Sequence, residues 1–204
     1  MQRTIAPFAL ALALALGAPS MALAEAAVYQ VDPVHSTVGF TIRHFVSNVS
    51  GNFRDFDGMV HYDKAQPAAA KVELTVRAAS IDTANGDRDN HLRSPDFFEV
   101  EKFPALSFTS TSVKPLDADT LEVTGDLTIH GVTQRVTMPI EVLGTLRTPN
   151  GEKAGFETGF TLDRKDYGIV WNRALDAGGT VLGDDVKVYI AIEANRQQPA
   201  AAGK

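Results

Sequence analysis

From Ser36 onward, apolar residues fall on alternate positions: Val38, Phe40 and Ile42 stand between Thr37, Thr41 and Arg43. A period of two marks a strand with one buried face. The same pattern returns at Val72, Leu74, Val76 and Ala78, and at Leu121, Val123, Leu127 and Ile129. It returns again at Val136, Met138, Ile140 and Val142, and at Val186, Val188, Ile190 and Ile192. With less regular stretches at 28–31, 53–63, 105–113 and 155–163, the chain holds about eight to nine strand candidates. Asn150-Gly151, Asp57-Gly58 and Gly178-Gly179 supply turn chemistry between them. Strands joined by short turns are antiparallel, and eight of them close most economically into a barrel. The expected fold is therefore all-β, an antiparallel barrel of about eight strands. Gly39 or Gly125, depending on register, would make room inside it.

One region breaks the alternation for long. In "RDNHLRSPDFFEVEKFP", charges and imidazole are followed by paired phenylalanines. Ser94-Pro95-Asp96 has the form of an N-cap, a first-position proline and a first-turn acid, which predicts a short helix through Phe97 and Phe98. The preceding "GDRDNHLR" could add another helical turn. A helical insert near residues 86–102 would then lie over one barrel end. Phe97, Phe98 and Phe103 would point inward, with Arg88, Asp89, His91 and Arg93 near the rim.

The ends of the chain read differently. Arg3, the apolar run "FALALALALG" and the small residues Ala22 to Ala24 form a secretory leader over 1–24. The run is too short and too broken by Gly17, Pro19 and Ser20 to span a bilayer. Residues 25–196 make one domain, and the polar tail 197–204 is expected to be disordered. Of the 204 residues 44% are apolar, enough for a single core without disulfides, and there is no cysteine, which removes thiol catalysis and thiolate metal sites. The formal net charge of −6, more negative still once Arg3 is removed, argues against nucleic acid as a partner.

An exported barrel could be an outer-membrane protein, an enzyme or a carrier. Alternate positions filled by Lys, Glu, Thr and Arg, with one Trp and four Tyr in all, do not make a lipid-facing wall with aromatic girdles. The five histidines show no metal-ligand spacing, and no G-x-S-x-G nucleophile elbow occurs. Only His44, which shares the parity of the apolar strand face, and His91, in the insert, rise above surface residues. An eight-stranded barrel leaves an interior that is either filled or able to hold one slender ligand. Each buried CH₂ contributes roughly 0.8 kcal/mol, so an aliphatic chain binds without polar contacts and a few rim groups suffice for its head.

Five stretches resemble the YceI-like family of exported lipid-binding proteins: "VDPVHSTVGFTIRHF", "GNFRDFDGMVHYD", "SIDTANGDRDNHLRSPDFFEVEKFPALSFTSTSV", "VTGDLTIHGVTQRVTMPIEV" and "DRKDYGIVWNRALDAGGTVLGDDVKVYIAIE". The resemblance covers nearly all of 28–194. It implies a lipocalin-like barrel in a bacterial periplasm, enclosing a long polyisoprenoid or isoprenoid-quinone chain as ligand, with no other cofactor and no catalysis. Carried over by motif, Phe40 and His44, then Arg88, His91, Arg93, Phe97 and Phe98, would contact the ligand, with Phe108 in the barrel wall. An Asp82–Arg88 pair would orient the insert. A pyrophosphate head would favour arginine with protonated imidazole, a quinone only single donors. Tyr167 stands where many relatives have Phe. Transient membrane contact during loading, a homodimer, turnover of the bound lipid by a hydrolase or isomerase, and a ligand-free barrel with a protein partner stay open as alternatives.

Overall fold

The computed structural model describes residues 26–174 and 179–198; the expected leader and most of the expected tail lie outside them. Eleven strand segments form one sheet that closes on itself. They are β1 (Ala27–Val31), β2 (Thr37–His44), β3 (Ser47–Phe53), β4 (Phe56–Tyr62), β5 (Lys71–Arg77), β6 (Ile81–Asp82), β7 (Ala105–Pro115), β8 (Thr120–Ile129), β9 (Val132–Thr148), β10 (Gly151–Asp163) and β11 (Leu182–Arg196). Every pairing is antiparallel.

Eight staves emerge from the register. β11 pairs with β1 through Ala194–Arg196 and with β2 through Leu182–Ala191, so β1 and β2 are one interrupted stave. β3 with β4, and β5 with β6, are interrupted in the same way, since β2 pairs β3 while β1 pairs β4, and β3 pairs β6 while β4 pairs β5. The expected count holds, but the 53–63 candidate divides at Arg54–Asp55, and β3 carries no apolar alternation that predicts it. Its sequence, "SNVSGNF", is mostly polar. Its inward Gly51 has no side chain, and the Phe40 ring opposite covers that backbone.

The three breaks sit side by side and make a corner. Arg54 N–H donates to the Ser80 carbonyl and Arg77 N–H to that of Asp55, across a 3₁₀ turn at Ala78–Ser80. At the third break, Asp32 N–H reaches the Glu193 carbonyl, and the Ser36 hydroxyl both donates to that carbonyl and accepts from Glu193 N–H.

β8 shows why the wall forms: Leu121, Val123, Gly125, Leu127 and Ile129 are buried, while the residues between them are not. The outer positions pair across strands, Thr124 with Thr137 and Thr128 with Thr133, both at 2.8 Å, and Arg135 with Asp126 at 2.8 Å. A wall of hydroxyls and ion pairs suits water. Gly125 faces inward, but its space belongs to the Phe108 ring, which a Cβ there would meet at 2.4 Å. Gly39 faces Asn52 on the other side. Neither glycine makes room in the interior.

One end of the barrel is shut. Tyr62 packs edge-on against Phe156 at 5.8 Å, and Tyr29 and Ala194 are buried beside them. The Tyr29 hydroxyl donates to Glu152 at 2.5 Å, and burial together with that carboxylate pushes it up to about 12.

Candidate functional site

The insert governs the other end. Its helix, α1 (Gly86–Arg93), precedes Ser94 instead of following it. Asn85 caps it by accepting from Arg88 N–H at 2.9 Å, acids stand in the first turn, and His91 and Arg93 stand in the last. The Ser94-Pro95 pair carries two signals. As a start it fits a cap and first-position proline; as a stop, proline forces the residue before it out of helical backbone. Ser94 is extended, at φ −72° and ψ 172°, so the stop prevails. Phe97 and Phe98 therefore lie in turns, with Phe97 N–H on the Ser94 carbonyl and Phe98 N–H on that of Leu92.

α1 is anchored by a polar knot. The buried Asp89 carboxylate accepts from Thr83 N–H at 2.9 Å and from the Thr83 hydroxyl at 2.5 Å. Arg88 gives its Nε to that hydroxyl and an Nη to the Thr83 carbonyl, both at 2.7 Å. Two expectations are corrected here. Asp89 is interior, and Arg88 ties to Thr83 instead of Asp82, which pairs with Arg54 at 3.0 Å. The Asp82 carboxyl is held low by Ala84 N–H and by Arg54.

Beneath the insert lies a cavity of ≈ 340 Å³. Burial along the strands locates it. On β8 the inward Val123 is wholly inaccessible, whereas on β11 the inward Val186, Val188, Ile190 and Ile192 are only half-buried because they face open space. β2 continues this wall beside β11, and the opposing wall comes from β5, β7 and β8. Of the residues singled out from sequence, Phe40, His44, Arg88, His91, Phe97, Phe98 and Phe108 line this one cavity. Arg93 is not among the lining residues; its guanidinium donates to the carbonyls of Ala79 and Ile81, so it fastens the insert to the corner. Phe103 also stays out, packing on His130 at 4.6 Å and over Gly131.

Aromatic rings connect rim and wall. Phe98 meets Phe53 edge-on at 5.8 Å, and Phe53 meets Phe40 at 6.0 Å. On the facing side His91 stands edge-on to both Phe97 and Trp171 at 5.0 Å, and its Nε2 lies 2.8 Å from Asp96. Trp171 was not anticipated, although it is the chain's single tryptophan. It belongs to a strap, residues 168–171, in which Ile169 and Trp171 line the cavity. Arg164 holds this strap: 4% exposed, it donates to the carbonyls of Gly183, Ile169 and Trp171 and to Asp184. Tyr167 is buried against the same space, and burial pushes its hydroxyl up.

The lining is mainly apolar; Thr83, Arg88, His91 and His44 belong to it at the insert end, and Glu73, Ser107, Glu157 and Thr158 belong to it along the wall. Asp32, His35 and Glu193 bring ligand-type atoms within 4.8 Å of one another on the outside of the barrel, but the Lys153 ammonium lies 2.7 Å from Glu193 and 3.7 Å from Asp32 and supplies the cation itself.

A closed barrel with an apolar cavity and a capped, polar mouth defines a protein of the ligand-enclosing class. The sequence comparisons fix the family: residues 29–194 match the YceI-like domain, and the chain belongs to that family. It is 45% identical over 150 residues to Protein YceI of Escherichia coli O17:K52:H18, covering 72% of this chain and 78% of that one. The Campylobacter jejuni YceI crystal structure matches with TM-score 0.66 and 35% identity over 82% of this chain and 96% of that one. A polyisoprenoid binding domain from Saccharophagus degradans has the same fold, with TM-score 0.62 and 16% identity over 83% of this chain and 98% of that one.

Proposed function

We propose that this chain is a non-catalytic periplasmic carrier for a long-chain isoprenoid lipid, its tail in the barrel and its head at the mouth. The observation that carries the reading is a mainly apolar cavity whose basic and imidazole groups, Arg88, His91 and His44, stand with Thr83 at the insert end. That arrangement fits an amphiphile in one orientation. The leader-like first residues support export, and the name of the Saccharophagus degradans domain suggests the ligand class. Because Arg93 is spent on backbone carbonyls and Arg88 gives its Nε and one Nη to Thr83, the mouth offers no free guanidinium fork, only the remaining N–H groups of Arg88. Single hydrogen bonds to a quinone carbonyl fit that supply better than a bidentate clamp on diphosphate.

Native mass spectrometry of protein from the exported fraction, with organic extraction of whatever it holds, tests this reading. A stoichiometric isoprenoid is the expected result. An empty protein that also refuses added prenylated quinone and polyprenyl phosphate would overturn it. Arg88→Ala with His91→Ala should lower occupancy without emptying the barrel, since the tail supplies most of the binding.

A further inference from the structure

The connection between β2 and β3 has only two residues, Phe45 and Val46, between the paired His44 and Ser47. Phe45 has φ +50°. Such tight hairpin turns favour Gly, Asn or Asp at positions of positive φ, and a bulky side chain is strained there. Here the strained position holds phenylalanine, and its neighbour Val46 is 93% exposed, with Phe45 itself 40% exposed. Within the hairpin Phe45 packs edge-on against the His44 ring at 4.6 Å, but the exposed Val46 beside it answers no need of the turn, so its reason lies outside.

Location supplies one. His44 and Val49, on either side of the tip, line the cavity, so the tip stands at its mouth. Phe45 N–H donates to the Val181 carbonyl, and Val181 N–H to that of Arg173, which joins the tip to the segment following the strap. In the strap, Ile169 is buried and Trp171 half-buried, while Val170 between them is 63% exposed and turned away from the cavity. The electrostatics agree. Within the hairpin itself no Asp or Glu occurs between Asp32 and Asp55 and Arg43 stands two residues before the tip, with Asp184 and Asp185 in the bulge of the neighbouring β11. Leu116 and Leu146, also exposed, sit at the closed end, far from any route into the barrel.

We propose that Phe45 and Val46, with Val170, form a docking point that seats the capped mouth on a phospholipid bilayer. The inference rests on the carrier reading, because a lipid cargo must leave and enter a bilayer, and it adds the surface and the residues through which that happens. A water-insoluble tail then passes from the membrane core to the cavity beneath an apolar tip instead of crossing water.

The test is co-sedimentation of the mature chain with phosphatidylcholine vesicles containing phosphatidylglycerol, compared with Val46→Asp and with a Phe45→Asn, Val46→Gly double variant that suits the turn. A separate readout delivers a prenylated quinone in detergent and measures occupancy by native mass spectrometry. The expected result is vesicle binding by the wild type and a loss of about tenfold in both variants, with quinone uptake from detergent unchanged. Variants that sediment like the wild type would overturn the docking point. So would a wild type that takes quinone from detergent but ignores vesicles, or a tip that proves to bury itself in a second copy, seen as a dimer lost in the variants. Absence of both vesicle and quinone binding would remove the carrier reading as well.

Discussion

Arg164 shows how much one side chain can organise. Its guanidinium is almost wholly inaccessible and satisfies three backbone carbonyls and the Asp184 carboxylate, at 2.7 to 3.1 Å. Lys165 also reaches Asp184, at 2.7 Å, so the acid keeps a partner if Arg164 is lost. The carbonyls of Ile169, Trp171 and Gly183 would not. Replacing Arg164 by Met should cost about 2–4 kcal/mol in urea unfolding, and Arg164→Lys should recover only part, because an ammonium cannot reproduce the fork. A cost below 1 kcal/mol would mean that the strap holds itself. Nothing in "LDRKDYG" announces this role, since a charged residue flanked by charges reads as solvated. Trp171 escaped for a related reason: its function depends on Arg164 fixing the strap across the mouth. Phe97 and Phe98 were readable because aromatics inside a charged segment need a place to be buried.

At the scale of elements, alternation located most of the wall and failed where backbone, not side chains, filled space. β3 is built around Gly51 and lies against Phe40, a pairing visible only once the register is known. Helix assignment held at "GDRDNHLR", which is α1, and failed at Ser94-Pro95, which terminates that helix instead of starting one. The corner is a further case, since no periodicity tells which interruptions fall side by side. Asp32 allows a test of how that corner is held. It accepts from His35, from Asn195 and from Val34 N–H, which together hold its carboxyl down at about 2 from an ordinary 3.8. A depressed carboxylate stabilises the folded state above its unfolded value, and that contribution is lost as pH falls through the folded one. Stability should therefore drop between pH of about 4 and about 2. In Asp32→Asn that part of the slope should vanish from thermal melts taken across the range, leaving the other carboxylates to act alone. Parallel pH profiles for the two proteins would show that the Asp32 carboxylate contributes nothing to holding the corner.

For the whole molecule, the half-buried inner face of β11 marks space that a ligand would cover, so stability should rise when the barrel is filled. A ligand that binds only the folded state adds about 2.7 kcal/mol at a free concentration a hundredfold above its Kd. For a domain of this size each kcal/mol raises Tm by about 2–4 °C, so loading should raise it by about 5–10 °C. Delipidated protein titrated with prenylated quinone gives the curve directly. Val188 offers the control that separates cavity filling from surface adsorption, because its side chain faces the cavity from β11 between the neighbouring Phe40 and Phe160. Val188→Trp should place an indole where the isoprenoid tail would lie. That variant should melt no lower than the empty wild type, since the added rings gain contacts in space that holds no protein atoms. It should also show no further rise with quinone. If the variant instead keeps the full ligand-dependent shift, the quinone binds elsewhere on the barrel, and the cavity is a packing defect of the fold and not the reason for it.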